Sequence, residues 1–198
     1  MRFLALVLLV VLFNCSESKR PIVGETPFQK RMNNEFKDAS KSPLKTKDLK
    51  RFKSLDFFPV DSSFVVKAVL KRTPDTPWFM MATNTERRTK ERVYGILEFT
   101  LKNKPVQLNV YQSAEYVDSD DMRDYLFLPF LDLTNGESTY AGGRYVDLSI
   151  PKGDTLKLDF NKAYNPYCAY NEKFSCPIVP RENFIELPVT AGVKAFKK

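Results

Sequence analysis

Histidine is absent from all 198 residues. That removes the imidazole base of Ser-His-Asp and Cys-His nucleophilic catalysis, and with it His-ligated zinc, copper and non-haem iron. Cysteine is scarce, at Cys15, Cys168 and Cys176. A Cys₄ zinc site needs one thiolate more, so that class is excluded too. No apolar run reaches the roughly 20 residues of a membrane-spanning helix. The acidic run Asp118-Ser119-Asp120-Asp121 has no ligand at the fifth position of a calcium loop and no glycine at the sixth, and reads as a solvated loop. No cofactor is expected.

What is present begins at the N-terminus. Arg2 precedes an unbroken apolar stretch from Phe3 to Phe13, too short to span a bilayer and suited to an export signal. It ends at Leu12-Phe13-Asn14-Cys15, which resembles the lipobox of bacterial lipoproteins, although Asn14 stands where Gly, Ala or Ser is usual. The resemblance implies a signal peptide over 1–14, a lipid on Cys15 and a lipid-proximal tether over 15–25. Ser16 rather than Asp after the cysteine is similar to lipoproteins passed to the outer membrane, periplasmic or surface-facing.

The charge pattern agrees with a start close to a membrane. The formal net charge is +7. Lys19 to Lys53 carries eleven basic and four acidic residues, whereas the chain from Ser54 onward carries nineteen of each. A basic excess confined beside a lipid favours an anionic lipid surface, by about 1 kcal/mol per charge. It argues against nucleic acid, which a basic face of the folded domain would serve.

Residues 26–198 read as one globular domain, mainly β. Thr26 to Gln29 form a T-x-x-Q capping box with Pro27 at the first helical position, and Phe28, Met32, Phe36 and Ala39 stripe one face. A shorter helical turn carries Leu49, Phe52 and Leu55. From Ser63 the period changes to two: Phe64 to Leu70, Val93 to Leu101 with Gly95 in phase, and Val106 to Val110 beyond an Asn103-Lys104 turn. Short turns between such strands give an antiparallel meander sandwich or barrel-like sheet behind an N-terminal α-helix. Asn135-Gly136 predicts a two-residue hairpin between Tyr125–Thr134 and Glu137–Ile150. Pro151-Lys152-Gly153 predicts a three-residue hairpin that sets Leu148 against Leu156, Asp147 against Lys157, Tyr145 against Asp159 and Arg144 against Phe160. In that register Arg144 faces the core and must meet a carboxylate, a carbonyl cluster or an anion. Asp132, six residues along the strand from Tyr145, would lie roughly 20 Å away.

The candidate site follows. DFNKAYNPYCAYNEKFSCPIVPREN, over 159–183, holds two cysteines, three prolines, four asparagines and three tyrosines with no strand or helix period. Ordered loops of that length are functional or cross-linked. Cys168 and Cys176 are spaced for a disulfide, which export to an oxidising compartment would favour. Tyr145, Asp159 and Asn161 share a face leading into the loop, and Arg144, Tyr164, Asn165, Glu182 and Asn183 complete the candidate ligand-binding set.

The runs PFLDLTNGESTYAGGRYVDL and LKLDFNKAYNPYCAYNEKFSCPIVPREN, with an AG near the C-terminus, resemble the bacterial and archaeal family called domain of unknown function 1684. The likeness runs from about Phe28 to Phe196. It implies a single domain, often exported, with signature residues that include Asp132, Arg144, Asp147, Tyr164 and Asn183, and it supplies no activity.

Two functions fit these residues. One is a non-catalytic binding or structural module at the envelope, with tyrosines and amides suited to a glycan and Arg144 to a small anion. The alternative is a carboxylate-dependent hydrolase of envelope or glycan material, with Asp159 as base and Glu182 as acid. In the plainest reading these side chains only cap and pack the loop.

Overall fold

A computed structural model describes residues 26–197. The signal peptide, the Cys15 lipidation site and the tether lie outside the described residues.

The chain starts with α1 (Pro27–Lys37) and a single-turn α2 (Thr46–Leu49), and then runs through eight strands. These are β1 (Val65–Arg72), β2 (Phe79–Ala82), β3 (Arg88–Leu101), β4 (Lys104–Ser113), β5 (Tyr125–Asp132), β6 (Arg144–Ser149), β7 (Thr155–Asp159) and β8 (Phe184–Ile185). Their order in the sheet is β6-β5-β4-β3-β1-β7, with β2 on β3 and a short parallel β8 on β5. The sheet is antiparallel apart from β8 and curls into a half-barrel. No described helix is long and apolar enough to cross a membrane.

The start of α1 follows from its capping box. Thr26 Oγ1 accepts from the Gln29 N–H at 3.2 Å, and Gln29 Oε1 accepts from the Thr26 N–H at 3.0 Å. Met32 and Phe36 are buried, while Ala39 is exposed because the helix ends two residues before it, at Lys37. The β3–β4 turn is centred on Lys102 and Asn103, whose φ values of 48° and 64° suit a two-residue hairpin turn, one residue earlier than the sequence indicated.

Three registers differ from expectation. A β-bulge lies between Val93 and Gly95, where β3 gains a residue against β4. Gly95, Leu97, Phe99 and Leu101 enter the main core, but Val93 pairs with Tyr111 and faces the other side. Glycine is required at the bulge because a Cβ on Gly95 would stand 2.7 Å from Leu70 Cδ1 and from the Lys71 carbonyl oxygen.

The two-residue turn at Asn135-Gly136 is not formed. β5 and β6 pair Leu126 with Leu148 and Phe130 with Arg144, leaving 133–143 as a folded loop. Asn135 Oδ1 accepts from the Asp132 N–H at 2.7 Å, and Asn135 Nδ2 donates to Thr139 Oγ1 and to the Tyr140 carbonyl. The side chain that marks a type I′ hairpin is here spent on stabilising a wider turn.

β7 pairs with β1, not β6: Val66 faces Leu158 and Ala68 faces Leu156. Arg72 captures the intervening turn through Asp154 Oδ1 at 2.5 Å and the Gly153 carbonyl at 2.8 Å. The expected pairs Tyr145–Asp159, Arg144–Phe160 and Asp147–Lys157 are therefore not made. Face parity survives, since Val146 and Leu158 are both in the core and Tyr145 is on the opposite side. Period-two alternation fixes which face a residue takes and not which strand lies beside it.

The main core fills the half-barrel, from Phe64 and Leu97 to Phe130, Phe160 and Val189. A second cluster on the outer face joins Met81, Tyr111, Phe127, Tyr145 and Val179. A third packs α1 against the loop through Met32, Phe36, Leu55, Phe57 and Tyr170, with Phe36 and Tyr170 edge-to-face at 4.7 Å.

Candidate functional site

Strands β5 and β6 put their odd-numbered residues on the outer face: Tyr125 opposite Ser149, Phe127 opposite Asp147, and Pro129 opposite Tyr145. β4 continues the row with Tyr111 and Ser113, and the segment of β3 ahead of the bulge adds Glu91, which pairs with Ser113. The 159–183 loop crosses this face. Tyr164 exchanges two backbone hydrogen bonds with Tyr145, at 2.9 and 3.0 Å. Further along, the Cys176 N–H donates to Asn84 Oδ1 at 2.6 Å and the Ile178 N–H to the Ala82 carbonyl at 2.9 Å. Pinned at both ends, the loop and α1 wall a cleft of about 490 Å³, within the size range of small-molecule sites.

The cleft is rich in tyrosine. Asp147 Oδ1 accepts from Tyr125 at 2.8 Å and from Tyr164 at 2.6 Å, so one carboxylate oxygen orients two phenols from different elements. Burial, followed by the Asp147 charge, pushes the Tyr125 phenol well above its ordinary value. Burial, followed by the Tyr125 and Asp147 charges, does the same for Tyr164. Tyr145 donates to the Pro177 carbonyl and packs edge-to-face on Phe127 at 4.7 Å and on Tyr164 at 5.9 Å. Tyr116 crosses Tyr125 at 5.6 Å. All of these phenols are neutral donors and acceptors near neutral pH.

Of the candidate ligand-binding residues singled out from sequence, Tyr145 and Tyr164 line the cleft and the others do not; Cys176, of the expected disulfide, lines it as well. Arg144 is fully buried in the main core. Its Nη2 meets Asp132 Oδ2 at 2.9 Å and the Val189 carbonyl at 2.7 Å, its Nη1 meets the Ala191 carbonyl, and its guanidinium lies 5.2 Å from the Phe130 ring centre. The expected partner types, carboxylate and carbonyl cluster, are both present. The expected offset of Asp132 from Tyr145, six residues along the strand, is corrected to three, because the β5–β6 register sets Pro129 opposite Tyr145 and Phe130 opposite Arg144.

Asp159 Oδ1 accepts from the Asn161 N–H at 3.0 Å and caps a single 3₁₀ turn, while Asn161 clamps the Asp61 backbone through both amide atoms. Asn165 Nδ2 donates to the Lys194 carbonyl at 2.9 Å. Asn183 is fully buried: its Nδ2 donates to the carbonyls of Asn109 and Pro129, and its Oδ1 accepts from the Asn109 N–H. Glu182 is exposed and outside the cleft. Neither Asp159 nor Glu182 lines the cleft.

The expected disulfide is not formed, and Cys168 and Cys176 are free thiols. Cys176 is held in line with β2 by Asn84, and its sulfur accepts the Cys168 N–H at 3.2 Å. A hydrogen bond from Cys176, with help from Tyr140, lowers the Cys168 thiol to about 7. Among the described residues no group of three or more metal-ligating side chains converges.

The sequence reading missed Glu91, Tyr116 and Tyr125, and it named Asp147 as a signature residue without placing it in the ligand-binding set. The odd-numbered alternation of β5 and β6 was the available signal for Tyr125 and Asp147. Glu91 was hidden by the bulge.

The model of the family described as protein of unknown function DUF1684 matches residues 50–194. The chain belongs to the DUF1684 family. The match takes in every strand and the whole 159–183 loop, and leaves α1 outside it. The fold is also similar to the solution NMR structure of an uncharacterized protein of Haloarcula marismortui, at 30% identity and a TM-score of 0.66, covering 84% of this chain and 89% of that one. No curated protein matches the chain. Neither DUF1684 membership nor this neighbour carries an activity, so function rests on the site.

Proposed function

We propose that this DUF1684 protein is a non-catalytic binding module whose tyrosine-lined cleft takes a polyhydroxylated ligand of the glycan class, and that it works at the bacterial outer membrane through a lipid on Cys15. The observation carrying the first part is the Tyr125–Asp147–Tyr164 cluster at the cleft wall. Aromatic faces stack on the C–H faces of sugars, and fixed phenols and carboxylates meet their hydroxyls. The second part rests on the apolar run ending at Cys15 and on the basic excess that follows it. An anion at Arg144 has no support, because that guanidinium is buried against Asp132 and two carbonyls. The hydrolase reading has none from Asp159 or Glu182, which lie away from the cleft.

Titrating isotope-labelled protein with soluble envelope glycans is expected to move the amide resonances of Tyr125, Asp147 and Tyr164. Tyr164→Phe, which deletes one hydroxyl and keeps the ring, is expected to weaken binding by about fivefold to tenfold. No shift at the cleft with any glycan class would sink the proposal.

A further inference from the structure

The β2–β3 ribbon that walls the cleft has a second side. Met81, Thr89 and Glu91 turn toward the cleft and the outer cluster, so their even-numbered neighbours face away from it. There Met80 pairs with Lys90 and Ala82 with Arg88, and Trp78 meets Arg92, whose guanidinium lies 5.0 Å from the indole centre. Beyond β2 the Ile178 N–H donates to the Ala82 carbonyl, beside the Thr83–Pro177 bridge, while Val179 packs in the outer cluster; Ile178 therefore joins the even side. Trp78 is 36%, Met80 54% and Ile178 52% exposed. Large apolar side chains gathered on one exposed face mark an interaction surface. The cations beside them are not neutralised: among the described residues, Arg88, Lys90 and Arg92 have no carboxylate within ion-pair distance. Arg92 is held by Gln112 Oε1, at 2.6 and 3.0 Å, whereas Arg88 and Lys90 are exposed. Acidic residues flank the ribbon in its turns, at Asp75 and Glu86, and Glu91 faces the cleft.

A phosphate backbone or an acidic glycan would use these cations and leave Met80 and Ile178 in water. A layer of anionic phospholipid uses both halves of the face, with phosphates on the cations, an indole at the headgroup level and aliphatic side chains below it. The start of the described chain is at the same end of the molecule. Phe28 and Arg31 of α1 share the cleft wall with Arg87 and Thr89. A tether over 15–25 is eleven residues and spans at most about 40 Å, which keeps the ribbon within reach of a bilayer holding Cys15. We infer that this face is a second membrane contact, in which Trp78, Met80 and Ile178 enter the interface of an anionic phospholipid layer while Arg88, Lys90 and Arg92 meet its phosphates. The inference rests on the anchoring reading and extends it from the N-terminal lipid to the folded domain. It leaves the cleft, on the opposite side of the ribbon, open to solvent.

Trp78 is the one tryptophan of the chain, so its fluorescence reports on this face alone. The test reconstitutes the acylated full chain in vesicles of phosphatidylcholine, with and without phosphatidylglycerol, and with lipids brominated on the upper acyl chain as quenchers. Vesicles containing phosphatidylglycerol are expected to shift Trp78 emission to shorter wavelength and to expose it to the brominated lipids. Arg88→Gln combined with Lys90→Gln is expected to weaken the contact about tenfold or more, and so to lose most of the quenching while the chain stays attached. Met80→Ser combined with Ile178→Ser is expected to reduce the quenching by removing the apolar half. All four positions are exposed, and both variants are expected to keep the wild-type melting temperature. Attachment to vesicles with no change at Trp78 overturns the second contact and leaves the anchor standing. Equal quenching on phosphatidylcholine alone, or in both variants, overturns it as well. A shift that needs no vesicles and grows with protein concentration makes the occupant a second copy of the chain and also overturns it. Failure of the chain to attach to any vesicle removes the anchor and the second contact together.

Discussion

Asn183 replaces a piece of sheet. Proline at position 129 has no N–H to give, and there the β4–β5 ladder opens, leaving the Asn109 and Pro129 backbone groups facing a gap. The Asn183 side chain fills it with three hydrogen bonds of 2.7–2.9 Å. Asn183→Ala strands all of them in a fully buried setting, at about 1–3 kcal/mol per unsatisfied group. A loss of at least about 3 kcal/mol by urea denaturation is the expected outcome; a variant within 1 kcal/mol of wild type would show that the clamp is dispensable. Both Asn183 and Arg144 stood out in the sequence, one in a proline-rich loop and the other at a core-facing position. Their chemistry was legible there. Their partners were not, because each partner arrives from a segment whose placement depends on strand pairing.

At the scale of elements, β3 and the 159–183 loop decide the site. An uninterrupted β3 would send Val93 inward and Glu91 with it; the bulge turns both to the outer face, where they meet Tyr111 and Ser113. A repeated alternation cannot reveal one inserted residue, so the acidic end of the cleft was out of reach of pattern reading. The loop, by contrast, was recognised as ordered from its prolines, asparagines and lack of period. What holds it is mostly backbone: the Tyr145–Tyr164 exchange at one end, and Asn84 with Cys176 and Phe174 at the other. Asn84→Ala removes two side-chain bonds from the second anchor. Hydrogen exchange at Cys176 and Ile178 is expected to accelerate about tenfold or more, with Tyr145 and Tyr164 unchanged. Equal acceleration at both ends would mean that the loop opens as one unit and that the anchors are not independent.

At the scale of the whole molecule, neutral buried phenols join the cores. Burial pushes Tyr111 up to about 12, holds Tyr125, Tyr145 and Tyr170 higher still, and raises Tyr164 well above its ordinary value. A phenol whose folded value lies above the unfolded one, about 10, binds its proton more tightly in the native state. Its contribution is therefore complete below about pH 10 and is lost as pH rises beyond it. The melting temperature is expected to stay level from neutral pH to about 9.5 and to fall steeply above about 10. A flat profile to pH 12 would mean that these rings are not held neutral by the fold.

Composition and local order alone determined the chemistry this chain lacks, the helix start at Thr26, the mainly antiparallel β character, the inward and outward parity of nearly every strand, and the presence of one ordered loop. These follow from atoms within a few residues of one another, or from an alternation that any antiparallel neighbour satisfies. Tertiary structure decided which strand lies beside which, that Arg144 pairs with Asp132, that Cys168 and Cys176 stay unbridged, and that Tyr125, Asp147 and Glu91 share a cleft. Apart from the two thiols, which share one loop, each of those is a contact between segments joined only through strand pairing, and its register is set by the curl of the sheet and by one bulge, which leave no periodic trace in the sequence.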